Sequence, residues 1–250
     1  MTLPQTIAEA SPRTPLSDLA AARIADLARE HPGTIRVFQR HRIDFCCGGK
    51  RSVTEAADRA AIELDGLLAE LRVALAADNG EGRLGALPAS LAGLAALIVG
   101  RYHVALRGEL PRLVQMADRV EKVHGAEMPT VLPPLASAVR ALAAELEAHM
   151  GEEEASVFPA IVRLERAVAA GETPREADLA QLIAAREDEH VVAGELLAQL
   201  RELSAGFAPP EWACNTFRGL YHGLAELERD LHEHIHLENN VLFPRALALA

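Results

Sequence analysis

Apolar residues recur at helical period along most of the chain, and proline and glycine mark the breaks between the periodic runs. Residues 1–13 read as a loose tail. From Ser17 the pattern runs through Leu19, Ile24 and Leu27 and stops at His31-Pro32-Gly33. Thr34 to Arg42 is a short amphipathic piece with Ile35, Val37 and Phe38. Ser52 and Glu55 match a capping box and open a run carrying Ile62, Leu64, Leu67, Leu68, Leu71 and Leu75. These runs predict a small helical domain over residues 14–77. Asp78-Asn79-Gly80-Glu81-Gly82-Arg83 is rich in turn formers and reads as a flexible linker.

Four longer helical runs follow, over about 88–124, 133–169, 174–204 and 210–247. Gly108 and Pro111 predict a kink in the first, which ends near Gly125. Pro129, Pro133 and Pro134 mark the next turn. Thr173-Pro174-Arg175-Glu176 combines an N-cap, proline at the first helical position and a capping-box glutamate, so it starts the third run. Gly206, Pro209 and Pro210 precede the fourth. Long helices with short connections predict an all-α chain: an up-down four-helix bundle over residues 85–250, preceded by the small helical domain.

Composition agrees with helices. Half of the 250 residues are hydrophobic and only 4% are aromatic, a mix that favours packed helices over sheet. The formal net charge of -11 argues against nucleic-acid or acidic-membrane partners. Met1-Thr2-Leu3-Pro4-Gln5 shows no basic region or apolar core, and the most apolar window, Leu91 to Gly100, is too short to span a bilayer. Three cysteines make no disulfide framework, so a reducing cytoplasm is expected.

The candidate chemistry lies in a stretch that occurs twice: His149-Met150-Gly151-Glu152-Glu153-Glu154-Ala155-Ser156-Val157-Phe158-Pro159 and His234-Ile235-His236-Leu237-Glu238-Asn239-Asn240-Val241-Leu242-Phe243-Pro244. Each copy reads His-x-x-x-Glu, then Val or Leu four residues after the Glu, then Phe-Pro. Residues four apart share one helix face, about 6 Å apart along the axis. Each copy thus aims an imidazole and a carboxylate the same way, from the middle of an apolar stripe (Leu142, Leu146, Val157 and Ile161; Leu227, Leu231 and Val241). A buried carboxylate needs a cation or hydrogen-bond partner. Metal meets that need; a buried salt bridge is the alternative.

The facing helices offer one core-side histidine each, His103 and His190. His103 lies 46 residues before His149 and His190 lies 44 before His234, so the pattern of a lone His followed by His-x-x-x-Glu is duplicated. His103, His149, Glu153, His190, His234 and Glu238 therefore converge as a predicted metal site. Six ligands exceed what one tetrahedral zinc needs and suit two ions, each holding two histidines, with both glutamates bridging. Imidazole with carboxylate fits iron, with manganese and zinc left open. Open positions remain for an oxo or hydroxo bridge and a small exogenous molecule.

The other candidates are weaker. His232 and His236 are expected on a solvated face beside Glu228, Arg229, Asn239 and Asn240. His124 sits about 30 Å of helix beyond the His103 level, where it reads as a cap or second-site residue. Glu-x-x-His pairs of the ferritin-like type occur at Glu121/His124, Glu187/His190 and Glu233/His236, without half-to-half symmetry and with the last on the polar face. Gly48 and Gly49 suggest a tight turn presenting Cys46 and Cys47, whose adjacency would strain a disulfide between them. Cys214 is expected to be a packed thiol.

Arg101-Tyr102-His103, His149-x-x-x-Glu153, Glu189-His190 and His234-x-x-x-Glu238 with the following Asn-Asn-Val-Leu-Phe-Pro resemble a hemerythrin-like domain. His31-Pro32-Gly33 through Phe45-Cys46-Cys47-Gly48-Gly49 resembles the N-terminal domain of the ScdA/YtfE proteins, the RIC family for repair of iron centres. The resemblance spans nearly the whole chain from about residue 15. It implies a cytoplasmic, dimeric di-iron protein that helps restore iron–sulfur clusters damaged by nitric oxide or peroxide, with damaged iron–sulfur proteins as clients. It maps the di-iron ligands onto the same six residues and the family's cysteine pair onto Cys46 and Cys47, candidate thiols for the repair step. It does not decide whether such a protein donates iron or turns over nitric oxide. An oxygen-binding hemerythrin-like carrier or sensor is the nearest alternative, then a ferritin-like bundle or a bundle without metal.

Overall fold

The computed structural model describes residues 19–77, 87–173 and 178–250. The segment before Leu19, the Asp78–Arg83 linker and the Pro174–Glu176 start of the third long helix lie outside them. Among the described residues every regular element is a helix, and they divide into two compact units: residues 19–44 with 48–77, and residues 45–47 with 87–250.

The small unit holds α1 (Ile24–Glu30), α2 (Ile35–Arg40), α3 (Val53–Ala60) and α4 (Leu64–Ala77). A 3-10 turn, Pro32–Thr34, separates α1 from α2, and Thr34 Oγ1 donates to the His31 and Leu27 carbonyls at 2.8 and 3.2 Å. The capping box starts α3: Glu55 N donates to Ser52 Oγ at 3.2 Å and Ser52 N donates to Glu55 Oε2 at 2.7 Å. Such a cap is worth about 1 kcal/mol.

In the large unit, α5 (Leu91–Ile98) runs through a π-helical turn, Val99–His103, into α6 (Val104–His124). α7 (Leu132–Glu152) likewise passes through Glu153–Val157 into α8 (Phe158–Ala169). α9 (Leu179–Leu203) is uninterrupted, and α10 (Asn215–Leu237) passes through Glu238–Leu242 into α11 (Phe243–Leu247). These four rods form the bundle. α6 packs on α7, α7 on α9 and α10 on α6. Leu110, Leu113, Leu135, Leu142, Leu197 and Leu224 belong to its core. The Glu165 carboxylate on α8 accepts the free amides of Leu91 and Ala92 at 2.6 and 2.9 Å, fixing the start of α5. No described helix is long and apolar enough to cross a membrane.

The first rod is continuous through Gly108 and Pro111, which lie inside α6, and a wide turn ending at His103 precedes it. The fourth rod starts at Asn215 rather than near residue 210.

Candidate metal centre

The three π turns mark the site. One ends at His103, one begins at Glu153 and one begins at Glu238. Single π turns inside α-helices are rare and frequent at functional sites. The repeated Phe-Pro accounts for two of them. Pro159 and Pro244 have no N–H to give the carbonyls of Ala155 and Asn240, and a proline ring clashes with the carbonyl four residues back. A wider turn just before each proline relieves both conflicts.

The six residues converge in the bundle interior. His103, Glu153 and Glu238 are fully buried, and His149, His190 and His234 are nearly so. His103 Nε2 lies 3.2 Å from His234 Nε2, and His190 Nε2 lies 3.1 Å from His149 Nε2. Each carboxylate divides its oxygens between these pairs. Glu153 places Oε2 3.4 Å from His103 and Oε1 3.3 Å from His149. Glu238 places Oε1 2.9 Å from His234 and Oε2 3.1 Å from His190. Two four-ligand groups result, His103/His234 and His149/His190, with both glutamates shared.

The donor set fits metal. Two cis nitrogens on an ion at about 2.1 Å lie about 3 Å apart, which matches each Nε2 pair. Among the described residues the Glu153 oxygens make no well-formed hydrogen bond and meet only His103 and His149 at 3.4 and 3.3 Å, and a buried carboxylate so placed calls for a cation. Without metal, protons take that role. Burial lowers the His149 pKa, but the adjacent Glu153 carboxylate outweighs it and raises the value to about 9. His103 is also raised, with Glu153 and Glu154 overcoming burial. Burial pushes the Glu238 carboxyl up, but His234 and His190 hold it well below the usual range.

Three imidazoles are held from behind. His103 Nδ1 meets Glu154 Oε1, His149 Nδ1 meets Glu189 Oε2 and His190 Nδ1 meets Asn239 Oδ1, each at 2.7 Å. Such partners orient the ring and raise its basicity as a ligand. Their positions are visible in the sequence only as the residues next to the ligands: Glu154 follows Glu153, Asn239 follows Glu238 and Glu189 precedes His190.

Cys214, His232 and His236 depart from expectation. Cys46 is buried among bundle core residues such as Leu106 and Leu146, and Cys47 is partly buried. Cys47 Sγ points at the His190 carbonyl from 3.6 Å, and Asn240 Nδ2 donates to the Cys46 carbonyl at 3.0 Å. His236 is fully buried and His232 partly buried, rather than solvated. The buried Phe45 ring lies against both, 5.6 and 5.9 Å from their centroids. Glu233 is buried too, so the Glu233/His236 pair is not on a polar face, and neither residue joins the two metal-ligand groups. Cys214 is exposed rather than packed. It occupies the N-cap position of α10, and His124 Nε2 approaches its sulfur at 3.3 Å. The backbone N–H of Phe217 and then His124 lower the Cys214 thiol pKa.

The family model for the hemerythrin HHE cation binding domain matches residues 96–246. The ScdA_N model, described as a domain of unknown function, matches residues 20–75. The chain is 41% identical over 221 residues to the iron-sulfur cluster repair protein YtfE of Yersinia pseudotuberculosis serotype IB (strain PB1/+), covering 88% of this chain and 94% of that one. The same identity and coverage hold for the like-named protein of Yersinia pestis (strain Pestoides F). Over a hemerythrin match spanning more than half of the chain, and a ScdA-type match before it, the chain belongs to the RIC family of ScdA/YtfE-like proteins.

Proposed function

We propose that this protein holds two iron ions between His103, His149, Glu153, His190, His234 and Glu238, and uses them in restoring damaged iron–sulfur clusters. The observation that carries the reading is the sharing of both carboxylates: each splits its oxygens between the same two histidine pairs. A salt bridge needs no such division of both carboxylates, whereas two adjacent ions would be served by it. The relatives' name, iron-sulfur cluster repair protein, supplies the process. Iron held by these residues would supply a redox-active pair able to bind a small molecule such as nitric oxide or dioxygen.

The chain's own residues do the rest. Glu154, Glu189 and Asn239 keep three imidazoles turned with Nε2 inward. Phe158 and Phe243 stack on His103 and His190 at 5.8 and 6.3 Å and keep water from those rings. Cys47 Sγ donates to the carbonyl of the ligand residue His190 at 3.6 Å, so a soft sulfur donor able to take or pass iron stands beside the helix carrying that ligand. The reading includes a cytoplasmic homodimer acting on damaged iron–sulfur proteins, with neither nucleic acid nor membrane as partner; the net charge of -11 suits it.

The test is repair of a nitric-oxide-inactivated aconitase in an anaerobic extract. Iron-loaded protein should restore activity, while the metal-free protein and a Glu153→Leu/Glu238→Leu variant should not. Equal recovery with the double variant would overturn the proposal.

A further inference from the structure

The centre is built from a duplicated motif, and the duplication fails just outside the ligands. Matching the two halves pairs His103 with His190, His149 with His234 and Glu153 with Glu238. The neighbours then pair as Glu154 with Asn239 and Tyr102 with Glu189. Glu154 and Asn239 play the same part: each accepts from the Nδ1 of the lone histidine at 2.7 Å.

Tyr102 and Glu189 do not. Glu189 accepts from His149 Nδ1 at 2.7 Å and is itself anchored by Arg186 Nη2 at 2.7 Å. Tyr102 instead lays its ring flat against His234, with centroids 5.4 Å apart and planes 11° from parallel. The Nδ1 of His234 is buried with no hydrogen-bond partner among the described residues. So the His149/His190 group has an acceptor behind both imidazoles, and the His103/His234 group has one behind His103 alone.

We propose that the two metal positions are inequivalent, the His149/His190 position holding its ion firmly and the His103/His234 position being the exchangeable one. An acceptor at Nδ1 leaves the lone pair on Nε2, fixes the ring's rotation and makes it a stronger donor to metal. A stacked phenol restrains the ring plane but takes no proton, so His234 settles its tautomer unaided and buries an N–H without an acceptor. Losing such an outer partner weakens metal binding on the order of 10- to 100-fold. That is the expected ratio between the positions. The inference rests on the six-residue metal centre proposed above. In a protein that supplies iron, the ion at His103/His234 is the one that leaves.

Anaerobic crystals of the full chain given one equivalent of Fe(II) test this through the anomalous signal at the iron edge. The inference expects most of the signal between His149 and His190. Equal signal at both positions, or more between His103 and His234, overturns it while leaving the metal centre intact. No signal at either overturns the metal centre, and this inference with it. In solution, chelator should draw iron from the fully loaded protein in two phases whose rates differ about 10- to 100-fold. Glu189→Ala should speed only the slow phase. A single phase in the wild type, or a Glu189→Ala variant that speeds only the fast phase, contradicts the assignment.

Discussion

Replacing Glu153 with leucine should stabilise the metal-free protein and destabilise the metal-loaded one. Glu153 is fully buried, its oxygens make no well-formed hydrogen bond among the described residues, and His103 and His149 lie 3.4 and 3.3 Å from them. Removing one member of a charged buried pair destabilises, whereas exchanging the whole pair for uncharged groups is neutral or stabilising by about 1–4 kcal/mol. Above pH 9 His149 has already given up its proton, so there Glu153→Leu leaves no lone cation beside it. Taking about 2 kcal/mol, and about 2–4 °C per kcal/mol for a domain of this size, metal-free Glu153→Leu should unfold about 4–8 °C above metal-free wild type. Ligand present at about 1,000 times its Kd adds about 4 kcal/mol, or about 8–16 °C, to the wild type alone. The order of melting temperatures should therefore reverse when Fe(II) replaces chelator, as read by calorimetry under argon. A variant that melts below wild type in chelator would show that the carboxylate holds the fold together. A variant that still gains stability with iron would remove Glu153 from the centre.

Three further outcomes follow from the same geometry. Because the metal-free His149 pKa is raised to about 9, against an ordinary 6.5, its protonated form stabilises the metal-free fold below about pH 6.5, and that contribution is lost as pH rises through about 9. Iron must displace this proton, so apparent affinity in chelator competition should climb about tenfold per unit between pH 7 and 9; a flat profile contradicts it. The exposed, His124-paired Cys214 should be alkylated by iodoacetamide at pH 7 well before the buried Cys46; peptide mass spectrometry should show this order, with His124→Ala slowing Cys214, and equal rates would count against it. Cys46→Ala/Cys47→Ala should keep the iron spectrum, since every proposed ligand lies after residue 100, yet weaken recovery of damaged aconitase. A double variant that repairs at the normal rate shows the thiols to be dispensable.

What the chain reveals unaided depends on how local each feature is. The His-x-x-x-Glu pairs and the apolar stripes around them are set by helical period, so the convergence of six residues from four rods could be anticipated from spacing alone. The wide turns at His103, Glu153 and Glu238 were not anticipated, because periodicity assumes a uniform helix; the Phe-Pro after each glutamate was the available signal for two of them. The fate of His236 was beyond reach of local pattern. It reads as a solvated face until Phe45, 191 positions earlier, is brought against it. Cys214 misled in the opposite sense: an apolar-looking thiol in Trp212-Ala213-Cys214 lies at the helix N-terminus, where it meets backbone amides and solvent instead of the core. Glu154, Glu189 and Asn239 look like ordinary polar positions beside ligands, and only their 2.7 Å contacts distinguish them.

The central claim is that two ions share Glu153 and Glu238. It is tested most directly by counting iron and recording the Mössbauer spectrum of protein loaded in the cell and purified without oxygen. The account predicts about two irons per chain and, after oxidation, one antiferromagnetically coupled pair with no resolved paramagnetic iron. Protein that retains a single zinc and no iron, or one magnetically isolated iron per chain, would contradict it.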